Sequence, residues 1–386
     1  MDLSRIKDHF ADMRAPDRKI TESNLAEAGA ILTIDLDVVR ANYRLLKQRL
    51  GSVRCAGVVK ADAYGLGAAE VAQALASEGC DTFFVAHVRE GVVLRDVLGP
   101  RPEIYVLNGT PPGAETACAT AGLTTVVNSL EQLAAWRGTA KVLGRPLPAA
   151  LQVDSGMSRL GLAPEEVEEI AADKSLLDGI EVRLVMSHLA CADEPEHPAN
   201  AAQKEAFDLL RASLPAVPAS LANSSGIFLG ADYHYDLARP GAALYGINPT
   251  PSRPNPMRPV IHLAAKVIQT RQLPASVGVG YGHSFRTQKP MRAATISLGY
   301  ADGWHRRAAA GAYFAEVRLP FIGRVSMDSI IIDISALPEG ALAAGDLVEI
   351  IGPHQPVDVV AGHAGTIGYE VLTDLGHRFH RIYKHA

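Results

Sequence analysis

Cysteine is scarce in this 386-residue chain. The four present, Cys55, Cys80, Cys118 and Cys191, stand far apart with no CxxC pair. That spacing argues against a disulfide framework or a zinc site and fits reduced thiols. A charge of one sign is lacking as well: 37 Lys and Arg face 42 acids, a formal charge of −5, so nothing marks a nucleic-acid partner. No stretch approaches the roughly 18 uninterrupted apolar residues of a membrane span. The first twenty residues scatter their charges and contain no apolar core of a secretory signal. The expectation is a soluble cytoplasmic protein with no membrane or metal association. A glycine-rich dinucleotide fingerprint is missing from the first strand–helix crossover. GVGYG at 278–282 imitates it weakly and opens no evident helix.

What is present is rhythm. Residues 1–28 carry no strand pattern and read as a surface helix or loose extension. ILTIDL (31–36) is strand-like, and Asp37 offers a cap to the helix after it. Short apolar runs then alternate with helical stretches such as 68–79 and 164–173. The runs are AGVVK (56–60), TFFVAH (82–87), EIYVLNG (103–109), TTVVN (124–128), ALQVDSG (150–156), VRLVMSH (182–188), SLANSSG (220–226) and YDLARPG (235–241). Eight such runs with helix-length crossovers predict an α/β fold, a parallel (β/α)8 TIM barrel over residues 29–250. Pro249, Pro251, Pro254, Pro256 and Pro259 then form a semi-rigid linker. Beyond it, IHLAAKVIQT, AATISLGYADG, VRLPFIGRVSMDSIIIDIS and DLVEIIG predict a mostly-β domain over 251–386.

In such a barrel the reacting groups lie at the C-terminal ends of the strands. Reading those ends gives Lys60, the segment Asp154–Arg159, His188, Asn223–Ser224 and Arg239. Lys60 would ordinarily snorkel to solvent. In KADAYGLG, however, the Tyr64 hydroxyl and two glycines follow it, and a desolvated lysine can form a Schiff base. NSSG and RPGAALYG end the last two runs, where barrels often hold phosphate on backbone N–H groups. Taken singly, each is an ordinary turn. Amine, phosphate site and a cation near the axis together suggest pyridoxal phosphate.

The segments VVKADAYGLG, VDSGMSRLG, SHLACADE, ANSSG, ARPGAALYG, GYG, LGYADG, GRVSMD and GYE occur here in the order found in bacterial alanine racemases. The chain therefore resembles that family over roughly residues 30–386. The resemblance implies pyridoxal 5′-phosphate held by Lys60 as an internal aldimine, and racemisation of alanine between two bases, with D-alanine feeding peptidoglycan. Lys60 would serve one face of the substrate Cα. Tyr281, supplied by the partner subunit of a homodimer, would serve the other. It also implies a hydrogen-bonded chain Tyr281–His188–Arg239, with Arg239 at the pyridine nitrogen. Tyr64, Ser224, Gly241, Ala242 and Tyr369 would contact the phosphate, with Asn223 nearby. Arg159 would reach the phenolic oxygen and the substrate carboxylate, joined there by Met327 and Asp328 from the partner subunit. Tyr300 and Tyr369 would narrow the entrance.

Two departures stand out. Several family members carry a carbamylated lysine two positions before the Asp of VDxGMxRLG; here that residue is Gln152, expected to hold Arg159 by a neutral hydrogen bond. Some relatives have a histidine just before LANS, where this chain has Ser220, which shortens the relay by one imidazole. A racemase of broader range, a non-catalytic pyridoxal-phosphate carrier and a cofactor-free aldolase remain as alternatives. The carrier leaves Tyr281, Met327 and Asp328 unexplained, and the aldolase leaves the phosphate contacts unexplained.

Overall fold

Seven short apolar runs become parallel strands, bonded in the order in which they follow one another. They are Gly57–Val58, Thr82–Val85, Glu103–Val106, Thr124–Val127, Leu147–Gln152, Ile180–Met186 and Ala219–Ser220. This computed structural model describes residues 22–385. The eighth run, Leu237–Ala238, pairs in parallel with Arg54–Cys55. Backbone bonds carry the ring through it. On one side Asp236 N donates to Ala219 O (3.0 Å) and Arg239 N to Ala222 O (2.9 Å). On the other, Ala56 N donates to Ala238 O (2.9 Å) and Val58 N to Pro240 O (3.0 Å). The result is the expected (β/α)8 barrel.

Register explains its interior. Val58 pairs with Phe84, Phe84 with Tyr105, Val126 with Ala150, and Ala150 with Leu184. With Ala56, Met186 and Leu237 these residues form one buried cluster. Side chains fill the centre, so chemistry is left to the rim. Between the strands lie amphipathic helices such as Ala68–Ser77, which buries Val71, Ala72, Ala74 and Leu75, and Leu130–Leu143, capped by the Ser129 hydroxyl.

The chain divides into two compact units, residues 39–258 and a second that joins the segment up to Val38 to Pro259 onward. The second is β-rich. Its long strand Ile261–Leu273 pairs with Leu347–Ile351 and, past a bulge at 267–269, with Met291–Ile296. The helices Val357–Ala364 and Gly368–Asp374 follow. One expectation is corrected here. Ala30–Asp35, grouped in sequence with the barrel, belongs to this sheet, antiparallel to 261–265 and parallel to His380–Lys384. An apolar strand does not encode its partner, and both partners lie more than 200 residues away. A second correction is local: Asp35, not Asp37, caps helix Leu36–Leu50, its Oδ1 accepting from Val38 N at 3.0 Å. Of the expected extension 1–28, residues 1–21 lie outside the described residues. Glu22–Glu27 is a short helix whose Leu25 and Ala26 carbonyls accept from Lys266 Nζ.

Candidate active site

Val59 alone separates Lys60 from the first barrel strand, and the chain after Lys60 does something costly. Ala61, Asp62, Ala63 and Tyr64 all take left-handed backbone angles, φ 51–57° and ψ 38–51°. For L-residues this costs about 1–2 kcal/mol each, so the surroundings must hold the turn. Asp62 Oδ1 accepts from Ala68 N (2.7 Å) and Asp62 O from Gly67 N (2.9 Å). Glu90 Oε1 accepts from Ala61 N (3.0 Å). The turn swings Tyr64 back over the barrel mouth, where its ring meets Tyr245 at 4.9 Å. Burial, and after it the charge of Arg159, lower the proton affinity of Lys60; Glu90 opposes them. A lysine so tuned is a readier nucleophile than a solvated one.

Gly241 lies against the same tyrosine, and Ser224 is bonded to Gly241. A Cβ at Gly241 would fall 2.4 Å from the Tyr64 hydroxyl, so only glycine allows this approach. The buried Ser224 Oγ accepts from Gly241 N (3.0 Å) and Ala243 N (3.2 Å). Its own proton is thereby left to donate elsewhere. Ala242 begins the 3-10 turn Ala242–Tyr245, whose first N–H groups have no partner within the turn. Asn223 is turned to support: its Oδ1 accepts from Gly226 N (2.8 Å) and its amide reaches Leu189 O (3.5 Å). A tyrosyl hydroxyl, a seryl hydroxyl and the Ala242 N–H, around a glycine that admits no Cβ, suit a phosphate. With Lys60 on the same rim, these residues fit pyridoxal phosphate.

Arg239 is buried, with no carboxylate partner among the described residues. Its Nη1 donates to Ser220 Oγ and its Nη2 to Ser187 O (2.6 Å). Burial pulls the guanidinium down to about 9, still above neutral pH. His188 is lowered to about 3, by burial first and then by the charges of Arg239, Arg159 and Lys60, so the ring is neutral. The structure thus departs from the expected relay. Arg239 acts on His188 by charge, with no hydrogen bond between them, and its amino groups bond instead to Ser220 and Ser187.

Arg159 rides on a loop shaped by Asp154, whose Oδ1 accepts from Gly156, Met157 and Ser158 N–H groups at 2.9–3.1 Å. The expected Gln152–Arg159 bond is absent. Gln152 is buried within the barrel and its amide donates to Asn128 Oδ1 (3.0 Å), while Arg159 stays exposed. Asn128 was not legible as a participant, since its strand end TTVVN looks like any turn. Glu90 carried one unread signal, its place three residues after His87, where a capping-box acid stands.

The remaining residues lie in the β-rich unit. Tyr281 occupies the tip of the hairpin joining Gly278–Val279 to Phe285–Arg286 and is 68% exposed. GVGYG is therefore a hairpin and not a strand–helix turn. Tyr300 and Met327 are exposed too, at 42% and 52%. Their segments are bonded together, Tyr300 N to Ser326 O and Ala301 N to Met327 O. Gly299 permits this, since a Cβ there would strike the Met327 carbonyl. Asp328 accepts from Arg378 Nη1 (2.8 Å), and Arg378 Nε lies 3.2 Å from Asp302. Tyr369, in helix Gly368–Asp374, is half-buried.

Comparison with known proteins follows this division. Residues 34–249 match the alanine racemase N-terminal domain and residues 260–383 the alanine racemase C-terminal domain. A Mesorhizobium japonicum protein named alanine racemase, catabolic, is 66% identical over 93% of this chain and 94% of its own length. A Brucella ovis alanine racemase is 49% identical over 94% and 95%. Among solved structures, the Bartonella henselae alanine racemase with covalently bound pyridoxal phosphate is similar. It has a TM-score of 0.89 and 44% identity, and the match covers 92% of this chain and 99% of that one.

Proposed function

The chain belongs to the alanine racemase family, and we propose that it interconverts L- and D-alanine with pyridoxal 5′-phosphate bound at Lys60. The observation that carries this reading is the desolvated Lys60 amine on one rim with the Tyr64–Ser224–Gly241 cradle. Bound pyridoxal phosphate supplies an electrophilic carbon for the substrate's amino group and a conjugated ring that takes up electron density released at Cα.

The chain's own residues do the rest. Tyr64, Ser224, Gly241 and Ala242 would hold the phosphate. Arg239 would donate to the ring nitrogen, where a guanidinium would not hand over a proton. Arg159 draws in the substrate carboxylate and, by its charge, keeps Lys60 ready to be neutral. Lys60 Nζ takes or returns the proton on one face of Cα. The opposite face needs a second base, because inversion requires removal on one side and delivery on the other. We assign it to Tyr281 of the partner subunit in a homodimer. The exposure of Tyr281, and of Tyr300 and Met327 on adjoining segments, supports that reading, since bared large side chains mark a surface that another chain covers. Met327 and Asp328 of the partner subunit then meet the carboxylate. No helix among the described residues is long and apolar enough to cross a membrane. The four free cysteines suit a reducing compartment, and we place the enzyme in the cytoplasm.

Enantiomers are equal in free energy in water, so the flux direction is set by whatever consumes the product. Supply of D-alanine to peptidoglycan is one use. Degradation of alanine is the second, favoured by the word "catabolic" in the names of the relatives at 66% and 54% identity. A deletion strain separates them: D-alanine auxotrophy marks wall supply, and loss of growth on alanine marks degradation.

Incubating the purified protein with L-alanine in deuterated water tests the chemistry. We expect exchange at Cα together with loss of optical activity, and loss of both after borohydride reduction. Cofactor absorbance without turnover would mean a carrier, and neither signal an aldolase. Tyr281→Phe is expected to lose racemisation; parent rates from both enantiomers would remove the base assignment.

A further inference from the structure

Glu90, three residues into helix Val88–Leu98, is bound on both sides by backbone N–H groups of two different loops. Its Oε2 accepts from Ala86 N (2.7 Å) and His87 N (3.2 Å), which closes the loop after strand Thr82–Val85. Its Oε1 crosses to the neighbouring loop and accepts from Ala61 N (3.0 Å), the first amide of the left-handed turn. That amide is the link between Lys60 and Tyr64: the residue before it carries the amine, and the turn it opens carries the phenol to Gly241. Nothing in the reaction proposed above uses this carboxylate.

We propose that Glu90 is a positioning residue for the cofactor site, tying the left-handed turn to the next barrel loop so that Lys60 and Tyr64 meet one ligand from two directions. It rests on the reading of Lys60 and Tyr64 as cofactor contacts. The chemistry selects a carboxylate. Three N–H donors converge on two oxygens, so the acceptor-only group is satisfied where an amide would aim its NH2 at a donor. Aspartate is one methylene too short to span both loops. The charge has a second effect, since Glu90 favours the protonated form of Lys60 against burial and Arg159.

The test uses the apoenzymes of the parent, Glu90→Gln and Glu90→Asp, titrated with pyridoxal phosphate. Lys60 is labelled in the same preparations with trinitrobenzenesulfonate across pH. Loss of a charge-assisted bond to the turn is expected to weaken cofactor binding about 10- to 100-fold in Glu90→Gln. The Lys60 labelling midpoint is expected to move to lower pH as the negative charge is removed. A purely structural Glu90 would lower the melting temperature and leave that midpoint in place. Should the variants not fold, amide hydrogen exchange on the parent decides: Ala61 N–H is expected to be protected, and free exchange there would overturn the proposal. Cofactor binding within about twofold of parent together with an unmoved midpoint would also overturn it. If the parent itself fails to bind pyridoxal phosphate, the function reading fails, while the labelling and exchange results still judge Glu90.

Discussion

The buried guanidinium of Arg239 donates to the hydroxyl of Ser220, and that hydroxyl in turn donates a hydrogen bond to the Leu237 carbonyl. One small side chain thus serves as acceptor and donor at the place where some relatives carry an imidazole. Ser220→Ala would strip a buried cation of an acceptor, at a cost of about 1–3 kcal/mol. Ser220→Thr keeps the oxygen and should cost less. Urea unfolding of the two variants checks this; equal stability of parent and Ser220→Ala would show that Arg239 does not depend on the contact.

Gly241→Ala places a methyl 2.4 Å from the Tyr64 hydroxyl, and the ring must retreat from the cradle. Pyridoxal-phosphate affinity is expected to fall by about tenfold or more, as when a well-made hydrogen bond to an anion is lost. Tyr64→Phe alone should cost part of that. Because both changes act on one contact, the double variant should bind no worse than Gly241→Ala, which a double-mutant cycle measures.

The barrel was legible because its eight runs are short and apolar, and most are separated by helix-length segments. The rim was legible because strand ends in chain order bring Lys60, His188, Ser224 and Arg239 to one side. What escaped the reading depends on pairings that leave no local mark. Ala30–Asp35 joins strands at 261 and 380, which no composition announces. Gln152 turns to Asn128, at the end of the preceding strand and 24 residues earlier in the chain. Glu90 reaches Ala61 only because adjacent barrel loops lie side by side. The left-handed turn at 61–64 is held by these partners against the preferences of its own residues.

Stability should vary with pH through Glu349 and His354. The His354 amide and Nδ1 lie 3.0 and 3.2 Å from the Glu349 carboxylate, His262 stands 3.6 Å away, and His354 Nε2 lies 3.2 Å from Glu316. Burial alone would raise Glu349 and lower His354. The hydrogen bonds and charges outweigh it, so the carboxyl is held below its ordinary range and the imidazole above. A raised imidazole contributes stability below its unfolded value and loses it as pH rises through the folded one. A lowered carboxyl contributes above its unfolded value and loses it as pH falls. The advantage of the parent over His354→Gln is therefore expected to shrink as pH rises from about 6 to about 9. Urea midpoints across that range test it; a constant difference would contradict the sign.

Arg378 lies between two carboxylates of the β-rich unit. It joins Asp302, whose Oδ2 accepts from Gly299 N (2.8 Å), to Asp328, and so ties segment 299–302 to segment 326–328. Arg378→Met removes the cation between two carboxylates and keeps most of the aliphatic stem. Asp302 already sits above its ordinary range, mainly through burial, and loses the charge that offsets this. Since Arg378 is half exposed, global stability should change by less than about 1 kcal/mol. The position of Met327 and Asp328 should suffer more, because it rests on few other bonds. KM for alanine is expected to rise several-fold with a smaller fall in kcat, the pattern of lost binding that is shared by ground state and transition state. Raising the ionic strength should narrow the gap between parent and variant, because salt screens exposed charge pairs. A fall in kcat alone at unchanged KM would instead place Arg378 on the side of the proton transfers.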